Sequence, residues 1–338
     1  MPRMKAAQIS KPGGNFEIVE REIPQPARGQ VRVKVEACGV CHSDEIVKEG
    51  YWPGLPYPRV PGHEIAGRID TVGEGVTQWK PGQRVGVGWH GGHDFTCEQC
   101  RRGNFVLCAN EKITAIHHDG GYAEYMISPA EAVAAMPDDL PAADAAPLLC
   151  AGITVFNALR NSGAGPGDLV AIQGIGGLGH LGIQYAHQMG FRTVAIGRGA
   201  DKVPLARKLG AHEYVDSDGN PAEALQKLGG AHVILATAPD GKAMSALLDG
   251  LAPDGKLMMV GVGPDPMTAS PLQLILKRRS IQGWPSGTAM DSEDTLNFSV
   301  LTGVRPMIEK YPLEKAAEAY EQMKSGRARF RVVLTMGA

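Results

Sequence analysis

One stretch, "DLVAIQGIGGLGHLG" at residues 168–182, restricts the fold more than any other part of the chain. An apolar run is followed by glycines at 174, 176, 177 and 179 and then by a helical pattern, so strand, tight turn and helix come in that order. Glycine there lets the backbone turn sharply and lets a pyrophosphate approach the helix N-terminus, where unpaired N–H groups and the helix dipole favour an anion. Gly174, Gly176, Gly177 and Gly179 are therefore candidate dinucleotide-binding residues. Around this turn, "TVAIG", "HVILAT", "KLMMVG" and "SIQGW" alternate with helical patterns such as "HLGIQYAHQMG" and "DKVPLARKLG". That alternation predicts βαβ units and a doubly wound parallel sheet, a Rossmann domain.

The second strand of such a domain should end in an acidic residue that holds the adenosine ribose of NAD. Here "TVAIG" ends in Gly197, with Arg198 next and Lys202 close behind. No carboxylate repels a 2′-phosphate and a guanidinium stands one residue on, so NADP is favoured and NAD remains the alternative. The competing reading has Arg198 stacked on the adenine or turned to solvent.

A chain of 338 residues exceeds a single core and predicts two domains. Up to about residue 150, short alternating runs such as "QVRVKVEACGV", "HEIAGRIDTVG" and "QRVGVGW" lie between Gly and Pro, as in an antiparallel β domain with irregular loops. Near the end, "LEKAAEAYEQMKSG" predicts an amphipathic helix capped by Gly326, followed by the strand "RFRVVLTM". The formal net charge of −2 lacks the basic excess that nucleic acid binding needs. No signal-like segment and no membrane-length apolar stretch is apparent, so a soluble, cytoplasmic protein is expected.

The six cysteines fall at 38, 41, 97, 100, 108 and 150, a clustering that in a cytosolic chain points to metal or catalysis before disulfides. Cys38 alone reads equally well as buried filler. "ACGVCHSD", "PGHEIAG" and "LLCAGIT" supply Cys41, His63 and Cys150, a Cys₂His set that fits a catalytic zinc with an open fourth position. Sequence distance cannot show that they converge. Cys97, Cys100 and Cys108 in "HDFTCEQCRRGNFVLC" form a second cluster, one ligand short of the four a structural zinc takes.

On these residues the chain resembles the zinc-dependent alcohol dehydrogenases of the medium-chain dehydrogenase/reductase superfamily, over nearly its whole length. "GHEIAGRIDTVGEGV" meets the family's zinc signature in full, and the GIGGLG turn has the family's form. The resemblance implies a two-domain α/β chain: a GroES-like β-rich catalytic domain over 1–149 with a zinc lobe at 90–110, a Rossmann domain over 150–286, and a return of 287–338 to the catalytic domain. It implies that Cys41, His63 and Cys150 hold the catalytic zinc, that Asp44 and Glu64 are supporting carboxylates with Asp44 orienting His63, and that Ser43 takes the substrate hydroxyl proton. His42 and Arg331 stand where the family contacts the cofactor pyrophosphate, and Trp52 and Trp89 where it lines the substrate pocket. Laid on the lobe, the family spacing CxxCxxCx₇C puts Asp94 at the first ligand position, with His93 or His90 as substitutes. Where many relatives carry a histidine three residues after Ser43, this chain has Ile46, so a proton relay must end at His42 or water.

The implied activity is interconversion of small primary alcohols, benzylic ones included, and their aldehydes by a homotetramer, or else a dimer. A zinc-free NADPH-dependent quinone or enone reductase on the same scaffold is the rival reading, and a cofactor-binding subunit without turnover is a third. The joint presence of Cys41, His63, Cys150 and Ser43 argues against both.

Overall fold

The computed structural model describes residues 2–337. The chain divides into two compact units, one made of the residues up to Ile153 together with those from Ser286 onward, the other of Thr154–Pro285. The division falls after Ile153, so Cys150 belongs to the β-rich unit and not to the nucleotide-binding unit where a boundary at 150 would put it.

The β-rich unit is organised by the strand Gln30–Val40. Its first half alternates, with Val31, Val33 and Val35 buried between Arg32 and Lys34. Its second half is buried on both faces, where the helices Ala142–Pro147 and Ala316–Lys324 pack on it. Ile65–Val72 pairs antiparallel along one side and Arg331–Thr335 along the other, the latter opposing Val332 to Val40 and Leu334 to Cys38. Arg84–Val87, Val133–Ala135, Tyr125–Pro129 and Ile308–Pro312 complete the sheet. The expected terminal helix and strand are therefore present, and Gly326 follows the helix with φ +67°.

In the second unit six parallel strands lie in the spatial order Glu213–Asp216, Arg192–Gly197, Leu169–Gln173, Ala231–Ala236, Leu251–Met259 and Ser280–Gly283. The order reverses beside Leu169–Gln173, the switch point at which doubly wound sheets bind nucleotides. Glu213–Asp216 escaped the sequence reading because a four-residue strand with two acidic ends carries no apolar run.

One apolar helical run is longer than the sequence reading allowed. The most apolar 18-residue window of Ala142–Arg160 has a mean hydropathy of 1.5 and is 78% buried within the chain, as for a core helix.

Candidate active site

The strand Gln30–Val40 delivers Cys41 into a dry interior, and the chain then closes the single tight turn His42–Asp44. His63 and Glu64 lie on the extended run entering Ile65–Val72. Cys150 comes from a different device. Pro147 removes a helical N–H, and the next residues, Leu148–Gly152, widen into a π-helical turn before regular helix resumes at Ile153. Single π turns of this kind recur at functional sites because they re-aim one side chain.

These segments bring the donor atoms of Cys41, His63, Glu64 and Cys150 within 4.8 Å of one another. The two sulfurs are 3.9 Å apart. Thiolates on a tetrahedral zinc, each about 2.3 Å from it, stand about 3.8 Å apart, so the pair suits one ion. His63 Nδ1 faces Asp44 Oδ1 at 3.1 Å, which fixes the proton on Nδ1 and leaves a lone pair on Nε2. Nε2 is buried and has no hydrogen-bond partner among the described residues. A buried acceptor left open beside two cysteines is what a metal would satisfy.

The charges are consistent with that donor set. A hydrogen bond from Cys150 holds Cys41 well below the ordinary thiol range in spite of burial, while Cys150, sharing that proton, is pushed up. Burial pushes Glu64 up to about 7 against the pull of Arg331. Arg331 is itself buried and its Nη2 donates to Glu64 Oε1, so it is no exposed strand residue. His42 is exposed, and the half-buried Ser43 hydroxyl takes no hydrogen-bond partner among the described residues.

The lobe brings Asp94, Cys97, Cys100 and Cys108 together, again within 4.8 Å. Asp94 accepts from the Thr96 and Cys97 backbone N–H groups at 2.8 and 2.9 Å and from Asn110 Nδ2 at 2.6 Å. A carboxylate has about four acceptor positions, so one remains for a metal. The Cys97 N–H, then Asn110, hold its carboxyl well below the usual range, whereas burial pushes Cys100 up to about 12. Neither histidine considered as a substitute is among the four residues whose donor atoms come together. His90 bridges Glu111 at 3.1 Å and His93 at 3.0 Å, and His93 lies against Phe105.

In the parallel-sheet unit, Gly174 turns with φ +93° and a Cβ on Gly179 would come within 1.8 Å of the Gly174 carbonyl oxygen. Only glycine at 179 lets the helix Gly179–Gln188 start that close to the strand. No side chain among the described residues caps its start, and Gly176 is exposed, with nothing within 4 Å of where a Cβ would stand, so both stay open to a phosphate. Gly177 is half-buried in the same turn. Gly197 ends its strand, Lys202 closes the short turn Ala200–Lys202, and Arg198 pairs with Asp218 at 3.2 Å, both side chains exposed. Asp218 sets a carboxylate beside Arg198, against the expectation that none stands there. It lies two residues past the end of the short strand that the sequence reading missed.

Residues 27–138 match the family model described as the alcohol dehydrogenase GroES-like domain, and 177–300 match the zinc-binding dehydrogenase model. Alcohol dehydrogenase patD of Penicillium expansum is 49% identical over 98% of this chain and 97% of its own. The chain belongs to the zinc-type alcohol dehydrogenases of the medium-chain dehydrogenase/reductase superfamily. Two solved alcohol dehydrogenase structures share its fold. A cobalt- and zinc-bound thermostable alcohol dehydrogenase from Pyrobaculum aerophilum superposes with a TM-score of 0.88 at 27% identity, covering 99% of this chain and 100% of that one. CAD from Helicobacter pylori complexed with NADP(H) gives 0.87 at 27% identity, covering 98% of each.

In this dehydrogenase the wall beside the Cys₂His cluster is apolar. Ile46, Trp52, Leu55 and Trp89 pack on Val47, Ile113, Ala115 and Ile116. Trp89 stands edge-on to the His63 ring with centroids 5.0 Å apart. Ile46 thus joins the same apolar cluster as both tryptophans. The sequence reading passed over Tyr122, fully buried, whose hydroxyl donates to Asp44 Oδ2 at 2.8 Å.

Proposed function

We propose that this chain is a zinc-dependent alcohol dehydrogenase that interconverts small primary alcohols, benzylic ones included, and their aldehydes, with NADP preferred to NAD. The convergence of Cys41, His63 and Cys150, with His63 Nε2 buried and unpartnered, is the observation that carries it. Zinc held by these three residues would supply Lewis-acid polarisation of the substrate oxygen, and the nicotinamide cofactor on the glycine turn would accept the hydride.

The chain's own residues do the rest. Asp44 keeps the His63 tautomer and ring in place. Ser43 Oγ, with no partner among the described residues, takes the substrate hydroxyl proton, and because Ile46 offers no site for it, the exposed His42 or water receives it next. Trp52, Trp89 and Ile46 keep the pocket dry and flat, which suits an aromatic or short aliphatic group over a branched secondary one. Asp94 with Cys97, Cys100 and Cys108 would hold a second zinc whose part is to brace the loop. All six cysteines are free, in keeping with a reducing, cytoplasmic setting. Self-association, as a homotetramer or else a dimer, is supported by Leu272, Ile275 and Leu276, all largely exposed, beside the edge strand Ser280–Gly283.

Purified native enzyme should contain two zinc ions per chain and oxidise benzyl alcohol, with activity falling to background once a chelator has removed all zinc. Activity that survives complete removal overturns the reading. The cofactor preference rests on Arg198. A charge-assisted hydrogen bond is worth roughly 1.5–3 kcal/mol, so Arg198→Ala should raise KM for NADP at least about tenfold and leave NAD nearly unchanged. An unchanged ratio of the two constants removes Arg198 from cofactor selection.

A further inference from the structure

We propose that Tyr122 is a positioning residue for the Cys₂His centre, its phenol fixing the Asp44 carboxylate that aims His63 Nε2 between the two cysteines. This rests on the reading that Cys41, His63 and Cys150 hold zinc.

Asp44 is fully buried, and its carboxylate is held by three donors. Oδ1 accepts from His63 Nδ1 at 3.1 Å, and Oδ2 accepts from the Cys41 N–H at 2.9 Å and from the Tyr122 hydroxyl at 2.8 Å. Burial, with the Asp44 charge beside it, holds the phenol well above its ordinary value, so it stays a donor. Tyr122 is also tied to the ligand segments through its backbone. The N–H groups of Gly120, Gly121 and Tyr122 donate to the carbonyls of Val60, Gly62 and Pro61, immediately before His63. Its ring lies close against that run. Gly62 has φ +99°, and a Cβ there would come within 2.4 Å of Tyr122 Cδ1. One residue therefore joins the run that carries His63 to the turn that carries Cys41 and Asp44. Without the hydroxyl, Oδ2 keeps only the Cys41 N–H in a site water does not reach, and the carboxylate is freer to rotate away from His63.

The test uses the zinc-loaded full-length enzyme. Tyr122→Phe keeps the ring and its packing. Groups that orient metal ligands typically contribute 10- to 100-fold to affinity, so zinc release into a colorimetric chelator, in the phase that coincides with loss of alcohol oxidation, should be about tenfold faster in Tyr122→Phe. The remaining zinc should leave at the native rate, and thermal melting of the loaded protein should change little. Because the phenol acts through Asp44, Tyr122→Phe placed on Asp44→Asn should add no further acceleration. A native release rate in Tyr122→Phe, equal acceleration of both phases, or full additivity with Asp44→Asn overturns the proposal and leaves the zinc reading standing. Native enzyme that holds no zinc on Cys41, His63 and Cys150 overturns both.

Discussion

Cys41→Ala is expected to lower kcat/KM for alcohol oxidation at least about a thousandfold and to reduce bound zinc by one per chain. Polarisation by a metal is worth several kcal/mol, and each 1.4 kcal/mol is about a factor of ten in rate. Cys41 is the ligand to choose because the sulfurs of Cys41 and Cys150, 3.9 Å apart, define the width of the site. The helix turn that carries Cys150 does not depend on Cys41 for its winding, since Pro147 and the π-helical turn after it set its course. Zinc analysis, steady-state kinetics and circular dichroism together check the result. A variant that keeps both zinc ions and native turnover would show that the reaction does not run through this cluster.

Ser43→Ala should lower kcat by about 100-fold, the lower end of what positioned proton transfer contributes, while bound zinc stays at the native level and KM moves little. The reason is specific to this chain. Ile46 is apolar and packs in the cluster with Trp52 and Trp89, so it offers no proton carrier in place of the serine hydroxyl. Ser43→Thr, which restores a hydroxyl at the same atom, should recover most of the rate. The pH dependence of kcat in the alanine variant should flatten, because the step that delivers the proton to solvent has been cut. Full kcat in Ser43→Ala would place the proton path elsewhere.

The parts of this enzyme that could be read in the sequence are those whose physics is local. The glycine turn at 174–179 is set by contacts between residues five apart, the Gly179 Cα and the Gly174 carbonyl, and so it is written in the spacing itself. The parallel sheet announced itself through apolar strands separated by helices, and only Glu213–Asp216, too short and too acidic, went unread. The donor sets are another matter. Cys41 and Cys150 are 109 residues apart, and nothing in either neighbourhood states that a π-helical turn will rotate one sulfur toward the other. Asp94 was reached only through the family spacing, and its three hydrogen-bond donors, which decide between it and a histidine, come from folding. Tyr122 looked like one more aromatic after two glycines. Its ring is admitted by Gly62, 60 residues earlier, and its polar tip becomes legible as a signal only when the buried carboxylate it meets is known.

The β-rich unit is written in two pieces, and the order in which they are synthesised matters. Every cysteine and histidine of both donor clusters has left the ribosome before the nucleotide-binding unit, contiguous from Thr154 to Pro285, begins to emerge. The strand that flanks Gln30–Val40, and Arg331 that answers the Glu64 carboxylate 267 residues earlier, come much later. A nascent chain therefore passes through a period in which its thiols are made but the sheet beside them lacks an edge and a buried acid lacks its cation. Long-range pairing of this kind is slow to form, whereas the inserted unit can close on its own sequence. A chain halted before Arg331 would leave the buried Glu64 carboxylate without its cation beside Cys41 and His63.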